Sequence, residues 1–158
     1  MDPISALSFA VNILDLVDKA IKGAKTVIEV YNSADGLNSL HQTIDNGANS
    51  VKDIVEDIQN CQAKAPYNRA DDKVQQISKT ILSQCHELQS VLDECRRKKP
   101  GSLVSATLAT LKVWHKSQKI QEVQGRIILS RAELFNWIVI STRYVFVYRK
   151  TMGRRNSD

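Results

Sequence analysis

Apolar residues dominate the pattern from residue 2 to about residue 31. Polar residues recur there every three or four positions, which keeps them on one narrow stripe of a helix. The stripe consists of Ser5, Ser8, Asn12, Asp15, Lys19, Lys22, Thr26 and Glu29. Up to Val17 the rest of the circumference is apolar, whereas an ordinary surface helix is apolar over about a third of it. The pattern therefore predicts a first helix that other helices or lipid must cover.

This segment also begins as helices begin. Asp2 can cap the free backbone N–H groups, and Pro3 fits the first helical position. The apolar part is too short to span a bilayer, which takes roughly 20 residues, and Asn12, Asp15 and Asp18 interrupt it. It also lacks the basic start and the clean cleavage site of a secretory signal. We therefore expect it to form the buried central helix of a bundle.

Breaks rich in turn-forming residues divide the rest of the chain, at residues 32–36, 65–68 and 100–101. Between them the pattern predicts a second helix and a third one that begins near residues 70–72. The second has its apolar face on Leu37, Leu40, Ile44, Val51, Ile54, Val55 and Ile58, and the third on Val74, Ile77, Ile81, Leu88, Val91 and Leu92. Gly47 and Ala48 are small enough for another helix to come close to the second.

The last part of the chain predicts a shorter helix that is capped by Ser102 and has Trp114 on its apolar side, and after it a last long helical segment. Whether the chain turns or continues at residues 115–117 stays open. The long segment has Ile120, Val123, Ile127, Leu134 and Ile138 at helical spacing. Residues 137–148 are rich in β-branched and aromatic side chains, which favour a strand, but no partner strand is predicted elsewhere. We therefore interpret them as the end of the last helix.

These elements predict the fold class. We expect an all-α protein, an antiparallel bundle of four to five helices with the N-terminal helix largely buried. The bundle should occupy residues 1–150, and residues 151–158 should form a flexible polar tail. At 158 residues the chain is long enough for one domain with a real core.

Charge is distributed unevenly along the chain. Residues 1–95 carry 8 basic and 14 acidic residues, net −6, and residues 96–158 carry 14 basic and 3 acidic residues, net +11. The two parts should attract each other in a compact bundle. The surplus of basic residues also favours anionic partners, either lipid head groups or nucleic acid, although a solvated face explains it equally well.

Catalytic and metal-binding patterns are not found. His41, His86 and His115 lie on separate segments without a nucleophile or carboxylate at a recognisable spacing, so we expect neither an enzyme nor a cofactor. Cys85 and Cys95 fall near apolar helical positions and are expected to be buried thiols in a reducing compartment. Trp114 beside Lys112 and Lys116 is the one hint of a nucleic-acid module, and a tryptophan at helical spacing is more often a core residue.

Two motifs resemble a known family. The opening Met-Asp-Pro-Ile-Ser-Ala-Leu-Ser of residues 1–8, the apolar helix after it and the Val-Tyr-Asn-Ser of residues 30–33 resemble the HeLo-like N-terminal domains of fungal STAND receptors, which are relatives of NOD-like immune receptors. So does the Leu-Lys-Val-Trp-His-Lys of residues 111–116, followed by a long helix. The resemblance covers nearly the whole chain, which has no nucleotide-binding region, repeat region or recognisable amyloid motif. Whether the chain is an excised domain or a stand-alone protein stays open.

The resemblance implies a helical bundle related to the HeLo domain of fungal incompatibility proteins and to the executioner domain of necroptosis pseudokinases. It implies a cell-death effector that is cytoplasmic at rest, oligomerises on activation and engages the plasma membrane through its N-terminal helix. The membrane-engaging residues would be Ile4, Leu7, Phe9, Val11, Ile13, Leu14, Leu16 and Val17. Candidate contacts to anionic lipid are Arg96, Arg97, Lys98, Lys99, Lys112, Lys116 and Lys119. A STAND nucleotide-binding region in the same or another chain is a further partner, and nucleic acid is not expected.

Other functions stay open on the sequence alone. The bundle could be a pure interaction module, whose first helix never leaves the core while the domain dimerises or recruits a partner. An enzyme or lipid carrier with a pocket inside the bundle is the least favoured alternative. The basic run at residues 96–99 also has a sufficient structural explanation, because basic residues stabilise a helix C-terminus.

Overall fold

The computed structural model describes residues 3–32, 37–64, 72–96 and 103–155. The backbone alone is described at residues 3–4, 31–32, 37–41, 64, 103–114, 145 and 147–155. Four helices occupy these ranges: α1 (Pro3–Asn32), α2 (Leu37–Lys64), α3 (Asp72–Cys95) and α4 (Leu103–Arg155). Their bounds coincide with the breaks that the turn-forming residues predict.

The four helices form one antiparallel bundle. Each packs mainly on its two neighbours in the cyclic order α1, α2, α3, α4, and the two diagonal pairs contribute less. Arg96, just after α3, binds Asp45 near the start of α2, and Gln62 near the end of α2 donates to the hydroxyl of Ser78 near the start of α3. These contacts show that α2 and α3 run in opposite directions. The prediction of an all-α bundle is confirmed.

The core is built from the predicted apolar faces of all four helices. Its largest fully buried side chains are Ile13, Val17, Val27, Ile44, Val51, Ile58, Ile81, Leu88, Leu92, Ile120, Ile127 and Leu134. The small residues of α2 allow another helix to come close in the core, as predicted. A Cβ atom added to Gly47 would lie 3.1 Å from Cγ2 of Val27, so the absent side chain lets α1 and α2 approach closely.

The C-terminal part of the chain is one helix of 53 residues. The point left open at residues 115–117 is answered by the structure: α4 continues through them, and neither Gly nor Pro interrupts the backbone hydrogen bonds there. Residues 137–148 are helical, so that interpretation is confirmed. The helix also includes residues 151–155 of the segment that we expected to be a flexible tail, and residues 156–158 lie outside the described ones.

Candidate functional site

The predicted membrane-engaging residues of α1 are divided between the core and the surface. Phe9, Ile13, Leu16 and Val17 are buried, whereas Leu7 and Leu14 are half-buried. Val11 is 48% exposed, so the other helices do not enclose α1 completely. The side chain of Ile4 lies outside the described ones. The structure therefore places the larger part of this predicted set against the centre of the bundle.

Among the side chains that the structure describes, an ion pair and a hydrogen bond to the backbone join α1 to α4. The guanidinium of Arg131 donates from Nε and Nη2 to the two carboxylate oxygens of Asp18, with 3.1 Å between Nη2 and Oδ2. The hydrogen bond to Asp18 raises the pKa of Arg131. One turn further along α1, the side-chain amide of Gln124 donates to the backbone carbonyl of Ile21 at 3.3 Å. We call this contact region the α1–α4 seam.

The contact between α3 and α4, the α3–α4 seam, is lined with ion pairs. The carboxylate of Glu87 binds Nζ of Lys119 at 2.9 Å and Nη2 of Arg126 at 2.6 Å. The hydrogen bond from Lys119, followed by that from Arg126, lowers the pKa of Glu87. Two further pairs extend the seam in both directions, namely Lys116 with Glu94 at 2.7 Å and Lys73 with Glu133 at 3.4 Å.

The predicted basic contacts that the structure describes are already paired with carboxylates. Lys116 and Lys119 belong to the α3–α4 seam. Arg96 binds Asp45 at 3.1 Å, Asp93 at 3.2 Å and the side-chain oxygen of Asn49 at 2.7 Å. The other predicted contacts, Arg97, Lys98, Lys99 and the side chain of Lys112, lie outside the described part. The structure does not bring the described ones together into one basic patch.

Large apolar side chains reach solvent on the C-terminal half of α4, which the sequence reasoning missed. Those on α4 are Ile128, Leu129, Phe135, Ile140, Tyr144 and Phe146, with exposed fractions of 45%, 72%, 48%, 58%, 77% and 70%. The signal was present in the spacing. Ile127 and Leu134 mark the core side of α4, as predicted, but Ile128 and Phe135 repeat the same seven-residue interval one position later. The helix is therefore apolar on two sides.

The ion pair of the α1–α4 seam shows which sides of the two helices adjoin. On α1, Leu7, Val11, Leu14 and Asp18 follow one another at steps of four, three and four residues, so they share one side of the helix. On α4, Arg131 shares a side with the positions three before and four after it. We call the surface along this edge the α1–α4 face, and it consists of Leu7, Val11, Leu14, Ile128, Phe135, Val139 and Phe146.

Thiol and metal chemistry do not add a second site within the described residues. Cys85 and Cys95 are fully buried, as predicted, and Cys61 is half-buried. Burial raises the pKa of the Cys85 thiol to about 12, which makes it a poor nucleophile at neutral pH. Among the described residues no group of three or more His, Cys, Asp or Glu side chains could hold a metal ion.

Comparisons of the chain with protein-family models, with curated proteins and with solved structures found no match. Within the described residues, none of the four helices is both long and apolar enough to cross a membrane.

Proposed function

We propose that this chain is a signalling and effector domain that induces cell death at the plasma membrane. The domain oligomerises, and α1 leaves the bundle to dock on or insert into the bilayer. The observation that carries the proposal is the core-facing side of α1. Its largest apolar side chains, Phe9, Ile13, Leu16 and Val17, all lie against the centre of the bundle. Once released, this helix can cover them again only in lipid or in another protein.

The energetics of α1 support an exchange of this kind. Burying one large apolar side chain contributes about 1.5–3 kcal/mol, and the hydrophobic effect is non-directional, so hydrocarbon can replace a protein core. The polar stripe of α1 (Ser5, Ser8, Asn12, Asp15 and Lys19) is exposed and would stay at the aqueous side of a bilayer. A helix with one apolar and one polar side lies in a membrane interface without spanning it.

Charge supports an anionic bilayer as the partner. The chain has a net charge of +5 with its basic surplus in residues 96–158, which attracts acidic head groups, and each basic residue near such a surface contributes on the order of 1 kcal/mol. The domain would remain in the cytoplasm at rest. The resemblance to HeLo-like domains adds self-association, and a STAND nucleotide-binding region in the same or another chain as the source of the activating signal.

Leakage of dye from anionic vesicles tests the proposal, with lysine substitutions at two matched positions. Leu14 on α1 and Leu82 on α3 are both partly buried leucines packed against the core. Leu14→Lys would put a charge on the helix that enters lipid and should abolish leakage, because a charge in hydrocarbon is costly. Leu82→Lys perturbs the bundle in the same way but leaves α1 unchanged, so the leakage should persist. Equal leakage by the unmodified chain and Leu14→Lys, or no leakage by the unmodified chain, would contradict the proposal.

The second candidate function is a non-lytic protein-interaction module, which the exposed apolar positions of α4 favour. Ile128, Ala132, Phe135 and Val139 follow one another at steps of four, three and four residues, and Phe146 lies seven residues further on, a spacing that lets helices pack side by side. Light scattering and hydrogen exchange discriminate between the two functions. A stable oligomer without lipid binding, in which α1 is as protected as α3, would favour the interaction module.

A further inference from the structure

We propose that the α1–α4 face is a docking site for an anionic lipid surface on the folded domain, before α1 leaves the bundle. Its exposed side chains are Val11, Ile128, Phe135 and Phe146, and Leu7, Leu14 and Val139 are half-buried between them. Single exposed apolar residues are ordinary on soluble proteins, but a contiguous set along one edge marks an interaction surface. The site goes beyond the proposed function, because docking requires no change in the bundle.

The position of the α1–α4 face on the bundle suits contact with the surface of a bilayer better than insertion into its hydrocarbon interior. The adjoining side of α4 carries Ile127 and Leu134 into the core, so the helix cannot sink into hydrocarbon while the bundle stays folded. The folded domain would therefore lie on the bilayer with its helices parallel to the membrane plane.

Charge selects an anionic bilayer. From residue 134 to residue 157 the sequence has five basic residues and no acidic one, and Arg143 among them is exposed. The acidic residues of α1 that lie closest in sequence to the face are already paired, Asp18 with Arg131 and Asp15 with Lys19 at 2.8 Å. The carboxylates therefore leave the basic character of the α4 end uncancelled.

The same charges disfavour a second copy of the chain as the occupant. A parallel copy on this face would place the two basic ends of α4 side by side. An antiparallel copy would place each end near residues 119–131 of the other, where the basic residues are paired with carboxylates and the acidic Glu122 already binds Lys119 at 3.3 Å. Neither arrangement offers the basic ends an unpaired carboxylate, whereas acidic head groups neutralise them.

Sedimentation of the whole chain with phosphatidylcholine vesicles, with and without a third of phosphatidylserine, tests the proposal. The chain should bind only the anionic vesicles, and added salt should weaken the binding. Replacing two residues of the face, Phe135→Ser with Phe146→Ser, should weaken it by roughly tenfold or more, because lipid no longer covers two aromatic rings.

The matched control removes two other exposed apolar side chains of α4. Leu129 and Ile140 lie about a third of a turn away from the α1–α4 face, toward α3, so Leu129→Ser with Ile140→Ser should leave binding within about twofold. Equal loss from both pairs, or loss from neither, would overturn the proposal. So would a dimer without vesicle binding that Phe135→Ser with Phe146→Ser dissolves, because a second copy would then occupy the face.

The vesicle measurements also separate this inference from the proposed function. Both measurements use the whole chain. Binding reports docking of the folded domain, whereas leakage reports the release of α1 into the bilayer. Face-dependent binding without leakage would support docking and remove the membrane-lytic function. Leakage that Phe135→Ser with Phe146→Ser leaves unchanged, with unchanged binding, would remove docking alone.

Discussion

The two seams of α4 hold their partner helices by different forces. On the α3 side, carboxylates and cations alternate along the contact, with Glu87 at its centre between Lys119 and Arg126. On the α1 side, the ion pair of Asp18 with Arg131 and one hydrogen bond to the backbone accompany an apolar contact. Ion pairs and hydrogen bonds depend on a particular partner and register, whereas apolar contact does not. The α1–α4 seam is therefore the one that another apolar medium can replace.

This difference assigns the four helices to two roles. Specific polar contacts join α3 to α2, namely those of Arg96 with Asp45 and of Gln62 with Ser78 at 2.8 Å, and the ion pairs of Glu87 join α3 to α4. These three helices form the part that we expect to stay assembled. Helix α1 supplies much of the core but, among the described side chains, fewer of these polar contacts, so it is the element that we expect to open at the lowest free energy.

The largest effect is expected from substitutions that leave a cavity in the core, one on α1 and one on α3. Ile13 on α1 and Ile81 on α3 are both fully buried, and truncating either to alanine should lower the free energy of unfolding by about 2–5 kcal/mol. Hydrogen exchange should distinguish the two. Ile13→Ala should lower the protection of α1 and α3 alike, because α1 is displaced in partial and in global opening. Ile81→Ala should lower the protection of α3 more than that of α1. If both variants shift both helices equally, the bundle opens as one unit and the two seams do not differ.

The sequence predicted those features of the fold that depend on local residues, namely where helices end and which positions are buried. Turn-forming residues gave the ends of α1, α2 and α3, and apolar spacing identified buried positions such as Ile44, Ile81 and Ile127. Local signals could not decide whether the chain continues at residues 115–117. No residue there breaks a helix, and Lys116 on that stretch contacts Glu94 of a different helix.

The candidate surfaces were less predictable because they depend on the register between distant helices. Asp18 and Arg131 are 113 positions apart, and nothing in their local sequence pairs them. Val11 belongs to the most apolar stretch of the chain and is nevertheless about half exposed, because its neighbours cover the other sides of α1. Spacing reveals that α4 is apolar on two sides, but only packing decides which side becomes the core.

A smaller effect is expected from the ion pair of the α1–α4 seam. Asp18→Asn keeps the size of the side chain and removes the charge that Arg131 binds. Both side chains are partly exposed, so exchange of α1 amides should accelerate only about two- to fivefold, as for other partly exposed ion pairs. High salt should produce a similar change in the unmodified chain. Glu87→Gln removes a carboxylate from the other seam and should leave α1 exchange unchanged. Equal acceleration of α1 by both variants would contradict the division into two seams.

The smallest effect concerns pH and the α3–α4 seam. Glu87 has a lowered pKa in the folded chain because Lys119 and Arg126 stabilise its carboxylate. Its contribution to stability is therefore complete above the pKa of the unfolded chain and is lost as the pH falls through the lower, folded value. Glu87→Gln should lower the melting temperature by roughly 1–2 °C at neutral pH. The two melting curves should converge in acid, since the native carboxylate is then protonated as well.

Glu56→Gln, on the exposed side of α2, makes the same charge change and serves as the control. Melting temperatures of the three chains from about pH 7 to about pH 3 provide the measurement. A difference between Glu87→Gln and the unmodified chain that persists in acid would mean that Glu87 acts through packing and not through charge. A loss of stability in Glu56→Gln with the same pH dependence would assign the effect to overall charge. Either result would remove the electrostatic distinction between the two seams, and with it the reason for expecting α1 to open first.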